Sequence, residues 1–289
     1  MGYAQSGVTF YEFLQRNRWH VGILLLCIAI TYRNIIPGMV ADWSNDPNYS
    51  HGFLVPLISA YFVWQNWAQI RNVKIRPSNL GLVVVVGSLF LLFMGYVGTE
   101  YYSMRSSLVF LLAGIILFLG GIKAMRALAL PVAFLLFMVP LPYIVYNAVA
   151  FPLKLMVAKF SVLSLKLMGI VVWREGNIIR FPQTVFEVAD ACSGLRSLMS
   201  LLALAVAYAF ISQRSNLKRT LLILAAVPIA IFTNMLRVIV TGVLAQYYGA
   251  AAAEGFFHEF AGLVVFASAM LLLFLLGMLM QRWGGTHDS

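Results

Sequence analysis

Charged side chains are scarce in this chain of 289 residues: 10% are Asp, Glu, Lys or Arg, whereas 62% are hydrophobic. A soluble domain carries about a quarter charged residues, so the composition excludes a soluble fold of this length. The mean hydropathy of +0.88 points the same way. The sequence therefore predicts an all-α polytopic membrane protein, because helices satisfy their own backbone hydrogen bonds inside lipid.

Acidic residues are half as frequent as basic ones, and the net charge is +10. The basic residues are scattered near predicted helix ends, where they determine membrane topology, so we expect no nucleic-acid partner. Cysteine is also rare: Cys27 lies inside the first apolar stretch and Cys192 follows much later. This placement argues against a disulfide. The sequence has no CxxC pair or His/Cys cluster with metal-ligand spacing, so we expect no metal and no cofactor.

Apolar windows predict about eight transmembrane helices. The alternating charge of the loops places both termini in the cytoplasm, by the positive-inside rule. We find no internal repeat or second soluble domain, and expect residues 1–289 to form a single integral-membrane domain. The predicted spans lie near residues 20–41, 53–69, 79–98, 107–122, 128–147, 192–212, 220–246 and 259–281.

Residues 148–170 are apolar but carry three lysines, and a crossing here would place the basic residues near Arg214 outside. We therefore predict an interfacial or re-entrant helix for this stretch. Residues 171–181 alternate around Glu175-Gly176-Asn177, which is typical of a β-hairpin, and a further strand-like piece follows at residues 184–188. Because unpaired strand edges are costly in lipid, we expect this hairpin outside the cytoplasm, beside the outer membrane face.

Cys192 lies in the string DACSGLRS of residues 190–197, where a polar stretch meets a long apolar helix. A thiol at a helix N-terminus is stabilised as thiolate, and Arg196, one turn later, adds positive charge. Asp190 is a candidate helix cap, and Asp190 and Glu187 are candidates for orienting a histidine or binding a basic substrate. The alternative interpretation of Cys192 is a small buried hydrophobic residue.

Two further polar positions fall near the same predicted membrane face. Arg237 lies in the outward half of its span and shares a helical face with Asn234, so it is either a fixed cation for a developing oxyanion or a structural link between helices. His258 precedes the last span and is a candidate general acid/base, or an interfacial histidine that faces water. His51, in the loop after the first span, is a rival acid/base.

These motifs resemble the exosortase/archaeosortase family. The resemblance rests on ACSGLRS at residues 191–197, NMLR at 234–237 and HEFAG at 258–262, in that order. The segment YSHG, which contains Tyr49 and His51, is similar to the exosortase branch. The resemblance covers roughly residues 40–280.

The resemblance implies a membrane cysteine peptidase or transpeptidase, with Cys192 as nucleophile, Arg237 as stabilising cation and His258 as acid/base. It implies exported protein substrates with a C-terminal Pro-Glu-Pro-type motif, a transmembrane helix and a basic tail. It also implies a bacterial inner-membrane location with the active site outward. Asn234, Arg196, Asp190, Glu187, His51 and Tyr49 are candidate supporting or substrate-binding residues.

Three points stay open at this stage. The acyl acceptor is water or an amine, which includes a lipid-linked or polysaccharide acceptor. Membrane lipids are further expected contacts. The competing hypotheses are a non-peptidase factor for exopolysaccharide or lipid-linked transport and assembly, and a non-catalytic scaffold. A transporter would need polar residues along a path through the membrane, whereas here they collect at one face.

Overall fold

The computed structural model describes residues 7–181, 185–187, 196–248 and 256–282, and eleven α-helices and three short strands occur among them. The chain folds as two compact units, Met1–Leu141 and Pro142–Ser289. The first unit contains helices only, among its described residues. The second contains helices and the small sheet.

The first unit contains seven α-helices and two 3-10 turns. Thr9 caps the first helix in a capping box, in which Thr9 accepts a hydrogen bond from the Glu12 backbone and Glu12 accepts one from the Thr9 backbone. The elements are α1 Phe10–Arg16, α2 Arg18–Thr31, α3 Ile35–Asn45, a 3-10 turn Ser50–Phe53, α4 Leu54–Gln65, α5 Trp67–Arg71, α6 Asn79–Val97, α7 Tyr101–Phe134 and a 3-10 turn Leu135–Met138.

Helix α7 changes direction at Gly121, where two separate spans were expected. Gly121 has φ +81°, and a Cβ there would lie 1.8 Å from the carbonyl oxygen of Arg76. Only glycine accepts this combination of backbone conformation and close approach. The boundary predicted between residues 107–122 and 128–147 is therefore present as a break at Gly121, so α7 consists of two helical segments that meet there.

Helices α6 and α7 pack closely through small residues. A Cβ on Gly81 would lie 2.1 Å from the backbone nitrogen of Phe118, and one on Gly114 would lie 2.8 Å from the backbone nitrogen of Val85. Glycine at such positions lets two membrane helices approach closely, and dispersion contacts then hold them together. The pair forms the most extensive helix–helix contact among the described residues.

This packing gives a stability prediction for two glycines of the same helix. We expect Gly81→Val to lower the free energy of unfolding by about 1–3 kcal/mol, because the new side chain meets the α7 backbone, which cannot move aside. Gly87→Val is the matched control, since a Cβ on Gly87 meets nothing within 4 Å. Thermal unfolding of both variants in detergent measures the difference. Equal midpoints would contradict this packing.

The second unit begins with helix α8, Tyr143–Leu167, and continues through a three-stranded antiparallel sheet in the order β1-β2-β3. The predicted hairpin is confirmed: Gly176, with φ +63°, takes the first of two turn positions, as a type II′ turn requires. The remaining elements are β1 Trp173–Glu175, β2 Ile178–Arg180, β3 Val185–Glu187, α9 Arg196–Ser212, α10 Asn216–Tyr248 and α11 Phe256–Arg282.

Helix α8 corrects the boundary predicted between the span at residues 128–147 and the interfacial or re-entrant segment at residues 148–170. The preceding helical segment ends at Met138, so residues 143–147 join α8 instead of the span before it. The resulting helix has 25 residues, continues past Pro152, and is long and apolar enough to cross a membrane. The helix boundary therefore lies at residues 139–142, and not at residues 147–148 as the hydropathy pattern predicted.

About eight spans were expected, and the described helices include fewer that are long and apolar enough by themselves to cross a membrane. Five helices among the described residues are long and apolar enough to cross a membrane, and a sixth is counted if α2 and α3, which meet at 65°, form one bent span. Helix α4 has only 12 residues and α9 only 17. The five lie at Asn79–Val97, Tyr101–Met138, Tyr143–Leu167, Asn216–Leu244 and Gly262–Arg282. The prediction of an all-α polytopic membrane protein is confirmed.

Helix α10 joins the two hydrophobic clusters of the second unit. On one side Val238 and its neighbours pack against α8 and the sheet, where Ile179 and Phe181 are buried. On the other side Leu222, Ala226 and Ala230 pack against α9 and α11. The mostly small side chains of this second cluster allow the three helices to approach closely.

Candidate functional site

The candidate site lies at one end of the three helices α9, α10 and α11. Only residues 213–215 connect α9 to α10, so these two helices run antiparallel. At 1.5 Å per residue, the first residue of α9, Arg196, lies level with about residues 232–235 of α10. Leu201, Ala205 and Ala209 of α9 share a cluster with Leu222, Ala226 and Ala230 of α10, which agrees with this register.

Arg237 and Asn234 are both buried on α10, with 4% and 2% of their surface exposed. They are three residues apart and therefore share a helix face, as the sequence predicted. Ala230, which packs on α9 and α11, lies seven residues or about two turns before Arg237, so this face continues the side of α10 that packs on those helices. Arginine inside an apolar span costs at least about 2–3 kcal/mol, so a buried Arg237 is more than a topology signal.

The sheet reaches α10 near the same level as Arg237. A Cβ on Gly242 would lie 2.9 Å from the ring of Phe181 and 3.1 Å from Leu165, so the residue that follows β2 packs directly on α10. Strand β3 pairs with β2, with Glu187 opposite Ile178. The last residue of β3 therefore belongs to a sheet that is anchored on α10 and α8.

Cys192 and Asp190 lie outside the described residues. The segment that carries them runs from Glu187, the last residue of β3, to Arg196, the first residue of α9. Both of these backbone positions belong to elements that pack near Arg237. Nothing in the structure tests the roles expected for Cys192, Asp190 and the side chains of Glu187 and Arg196, and these stay predictions.

His258 lies in the first turn of α11. Tyr208 of α9 donates a hydrogen bond to the carbonyl of Phe274 (3.3 Å), and Gln213 donates one to the carbonyl of Gly277 (2.9 Å). These bonds hold α11 parallel to α9, so both helices begin at the same end. Along the common helix direction, His258 lies roughly four residues, or about 6 Å of helix rise, farther toward this end of the bundle than Arg196. The prediction that Arg237 and His258 belong to one end of the bundle agrees with this backbone arrangement.

His51 and Tyr49 belong to the first unit and contact the segment after α7. His51 Nε2 donates to the carbonyl of Phe137 (3.2 Å), and the Tyr49 hydroxyl donates to the carbonyl of Leu141 (3.2 Å). Burial lowers the pKa of His51, and hydrogen bonds to the backbone of Phe137 and Asn48 oppose this only in part. A neutral, backbone-bonded ring fits a structural role for His51, which the sequence analysis left open.

Two residues of the first unit are more important than their sequence context indicated. Trp43 is buried, donates a hydrogen bond to the carbonyl of Met138 (2.8 Å) and occupies the space that a side chain on Gly52 would need. Arg105 is buried inside α7 and forms an ion pair with Asp42 (2.6 Å). The sequence signal for the burial of Arg105 was its position five residues after Glu100, the N-cap of α7, which places it inside the helix.

Comparison with known proteins gives one match. A family model described as transmembrane exosortase matches residues 43–275 of the chain, which includes parts of both units. Searches of curated proteins and of solved structures found no match.

Proposed function

Because the chain belongs to the transmembrane exosortase family, we propose that it is a membrane-embedded cysteine peptidase or transpeptidase acting on exported proteins. Its substrates carry a C-terminal Pro-Glu-Pro-type motif, a transmembrane helix and a basic tail. We place it in the bacterial inner membrane, with the active site at the outer face and both termini in the cytoplasm.

One observation carries the proposal. Buried Arg237, the first turn of α11 with His258, and both ends of the segment that contains Cys192 belong to one end of the second unit. A nucleophile, a cation and an imidazole within reach of one another are what acyl transfer requires.

In the proposed reaction, the Cys192 thiolate attacks the carbonyl carbon of the scissile peptide bond. The carbonyl oxygen becomes an oxyanion, and the fixed positive charge of Arg237 stabilises it. His258 then gives a proton to the leaving nitrogen, the C–N bond breaks, and a thioester remains on Cys192. Water or an amine then attacks the thioester carbonyl and gives a proton to His258, the C–S bond breaks, and the Cys192 thiolate is released. The amine acceptors include a lipid-linked or polysaccharide amine, and the reaction needs no metal or cofactor.

The experiment that tests this function uses the Cys27→Ala variant, in which Cys192 is the single remaining cysteine. Membranes containing the variant are incubated with a signal-bearing exported protein, before and after treatment with a thiol-alkylating reagent. We expect cleavage between the motif and the helix before treatment, none after it, and an adduct that maps to Cys192. Cleavage that survives complete alkylation would refute the cysteine mechanism.

The same experiment separates the enzyme from a transport or assembly factor. A factor of that kind would leave the substrate uncleaved in both arms, whatever the state of Cys192. The mass of the processed product also decides the acceptor: a free carboxyl terminus indicates hydrolysis, and a larger C-terminal mass indicates transfer to an amine.

A prediction for Arg237 follows from its burial. We expect Arg237→Gln to lower kcat by about 10²–10³-fold with little change in KM, because an oxyanion partner acts mainly in the transition state. Arg237→Lys should be more active than Arg237→Gln but less active than wild type, since lysine keeps the positive charge but lacks the planar guanidinium group. Arg174→Gln, on the exposed strand β1, is the control. An unchanged kcat in Arg237→Gln protein that is folded by thermal unfolding would contradict the assignment.

A further inference from the structure

A cavity whose surface is mostly apolar lies in the first unit, between the α3 helix and the junction of α6 and α7. Its volume is about 260 Å³. Helix α6 ends at Val97 and α7 begins at Tyr101, so the cavity lies at the end of two membrane-spanning helices. Its polar and aromatic lining consists of Asn34, Tyr96, Thr99, Tyr101 and Arg105. The sequence analysis assigned no role to this group of residues.

Arg105 supplies a buried positive charge to this cavity. Only 7% of its surface is exposed, its Nη1 is bonded to Asp42 (2.6 Å), and its guanidinium lies 5.4 Å from the centre of the Tyr101 ring. Within the described part of the chain, Arg105 makes no further hydrogen bond. Since a guanidinium has five N–H donors, several of them remain for an anionic group placed in the cavity.

Two carboxylates lie close to the same guanidinium. The Asp42 side chain is 44% exposed, so one side of it faces out of the ion pair. Glu100 caps α7 by accepting hydrogen bonds from the backbone of Tyr102 and Ser103. Burial raises the pKa of Glu100, but hydrogen bonds with Ser103 and Tyr102 and the charge of Arg105 outweigh this and lower it. Glu100 is therefore ionised at neutral pH.

The charge pattern selects the kind of head group that fits. A purely anionic group would approach Arg105 but would be repelled by Asp42 and Glu100. A head group with a phosphate and an ammonium joined by a short linker complements both the positive charge of Arg105 and the negative charges of the carboxylates. The phosphate accepts from Arg105, and the ammonium lies near the carboxylates and the faces of Tyr96 and Tyr101, where cation–π attraction adds to it.

An apolar surface adjoins this cavity. It follows the exposed face of α6 and consists of Leu89, Leu92, Phe93, Tyr96 and Val97. Tyr96 belongs to both the cavity and this surface. A molecule with a polar head and a hydrocarbon chain would place its head in the cavity and its chain along α6, with Tyr96 at the boundary, where tyrosine is frequent in membrane proteins.

We propose that the first unit binds a zwitterionic aminophospholipid, of the phosphatidylethanolamine class, with its head group in the Arg105 cavity and a chain along α6. The proposal does not depend on the peptidase activity. The site recognises opposite charges at a fixed separation, which distinguishes it from nonspecific contact with the bilayer.

The test measures lipid binding by the full chain, purified in detergent and freed of lipid. Phosphatidylethanolamine, phosphatidylcholine and phosphatidylglycerol with matched acyl chains are added, and the retained lipid is measured by native mass spectrometry. We expect at least threefold higher retention of phosphatidylethanolamine than of phosphatidylglycerol, with phosphatidylcholine between them. Equal or higher retention of phosphatidylglycerol would overturn the proposal.

Gly38→Leu blocks the cavity without removing the Arg105–Asp42 ion pair. A Cβ on Gly38 meets only Nη2 of Arg105, at 4.0 Å, so a longer side chain would project toward the head-group space. Gly22→Leu is the matched control, because a Cβ there meets nothing within 4 Å. We expect Gly38→Leu to retain at least threefold less phosphatidylethanolamine than the wild-type protein. Gly22→Leu should retain as much as the wild-type protein. Equal retention in the two variants would overturn the proposal.

Asp42→Asn tests the charge argument separately. Removing one carboxylate lowers the repulsion of an anionic head group and the attraction of the ammonium. The preference for phosphatidylethanolamine over phosphatidylglycerol should therefore fall or reverse. Thermal unfolding of this variant confirms that the protein is folded, since the exposed side of Asp42 limits the cost of the lost ion pair. An unchanged preference in folded protein would contradict the proposed recognition.

Discussion

Cys192→Ala should abolish cleavage of a signal-bearing substrate while the protein level in the membrane stays normal. The thiolate supplies the covalent bond of the proposed reaction. Loss of a nucleophile in an enzyme of this kind costs up to about 10⁶-fold in kcat. The measurement is the rate of substrate cleavage in membranes with matched amounts of enzyme, followed by mass spectrometry of both products.

Cys27→Ala is the natural control for this variant. Cys27 is an exposed free thiol on α2 in the first unit, and we expect its variant to cleave at the wild-type rate within about twofold. Cys192→Ser adds a second comparison, because a hydroxyl has the same position but is a much weaker nucleophile at neutral pH. Cleavage by Cys192→Ala at more than a tenth of the wild-type rate would show that the thiol is not the nucleophile.

His258→Ala should lower kcat/KM by about 10²–10⁴-fold, the contribution of a positioned general acid or base. His258 begins the helix that follows the Arg237 helix, at the end of the unit where α9 also begins. The substitution should slow the breaking of the C–N bond, because the leaving nitrogen then receives no proton from His258. The variant should therefore cleave a substrate with a better leaving group with a smaller loss of rate. Cleavage of two substrates that differ only in that group measures this.

His51→Ala is the matched comparison and should behave differently. Since His51 donates to the carbonyl of Phe137, its removal should weaken the attachment of the 3-10 turn and lower thermal stability. Cleavage per folded molecule should remain within about fivefold of wild type. If His51→Ala has no activity as folded protein while His258→Ala is nearly normal, the acid/base assignment moves to His51.

The sequence by itself determined the class of the protein, the small sheet and the family. The low charge and long apolar runs leave helices in a membrane as the fold, since the bilayer satisfies no backbone polar groups. The pattern around Glu175-Gly176-Asn177 predicted the hairpin, because a two-residue turn needs glycine at a positive φ. The spacing of Asn234 and Arg237 predicted that they share a buried helix face. These features depend on local geometry, which residue types determine directly.

Only the tertiary structure decided the helix boundaries and the roles of several polar residues. Hydropathy alone did not predict that residues 143–147 join α8, because this depends on which segments pack together. The burial of Arg105 against Asp42 likewise joins residues far apart in the chain. Composition predicts where apolar segments lie, but long-range packing determines where each helix ends and which charges it encloses.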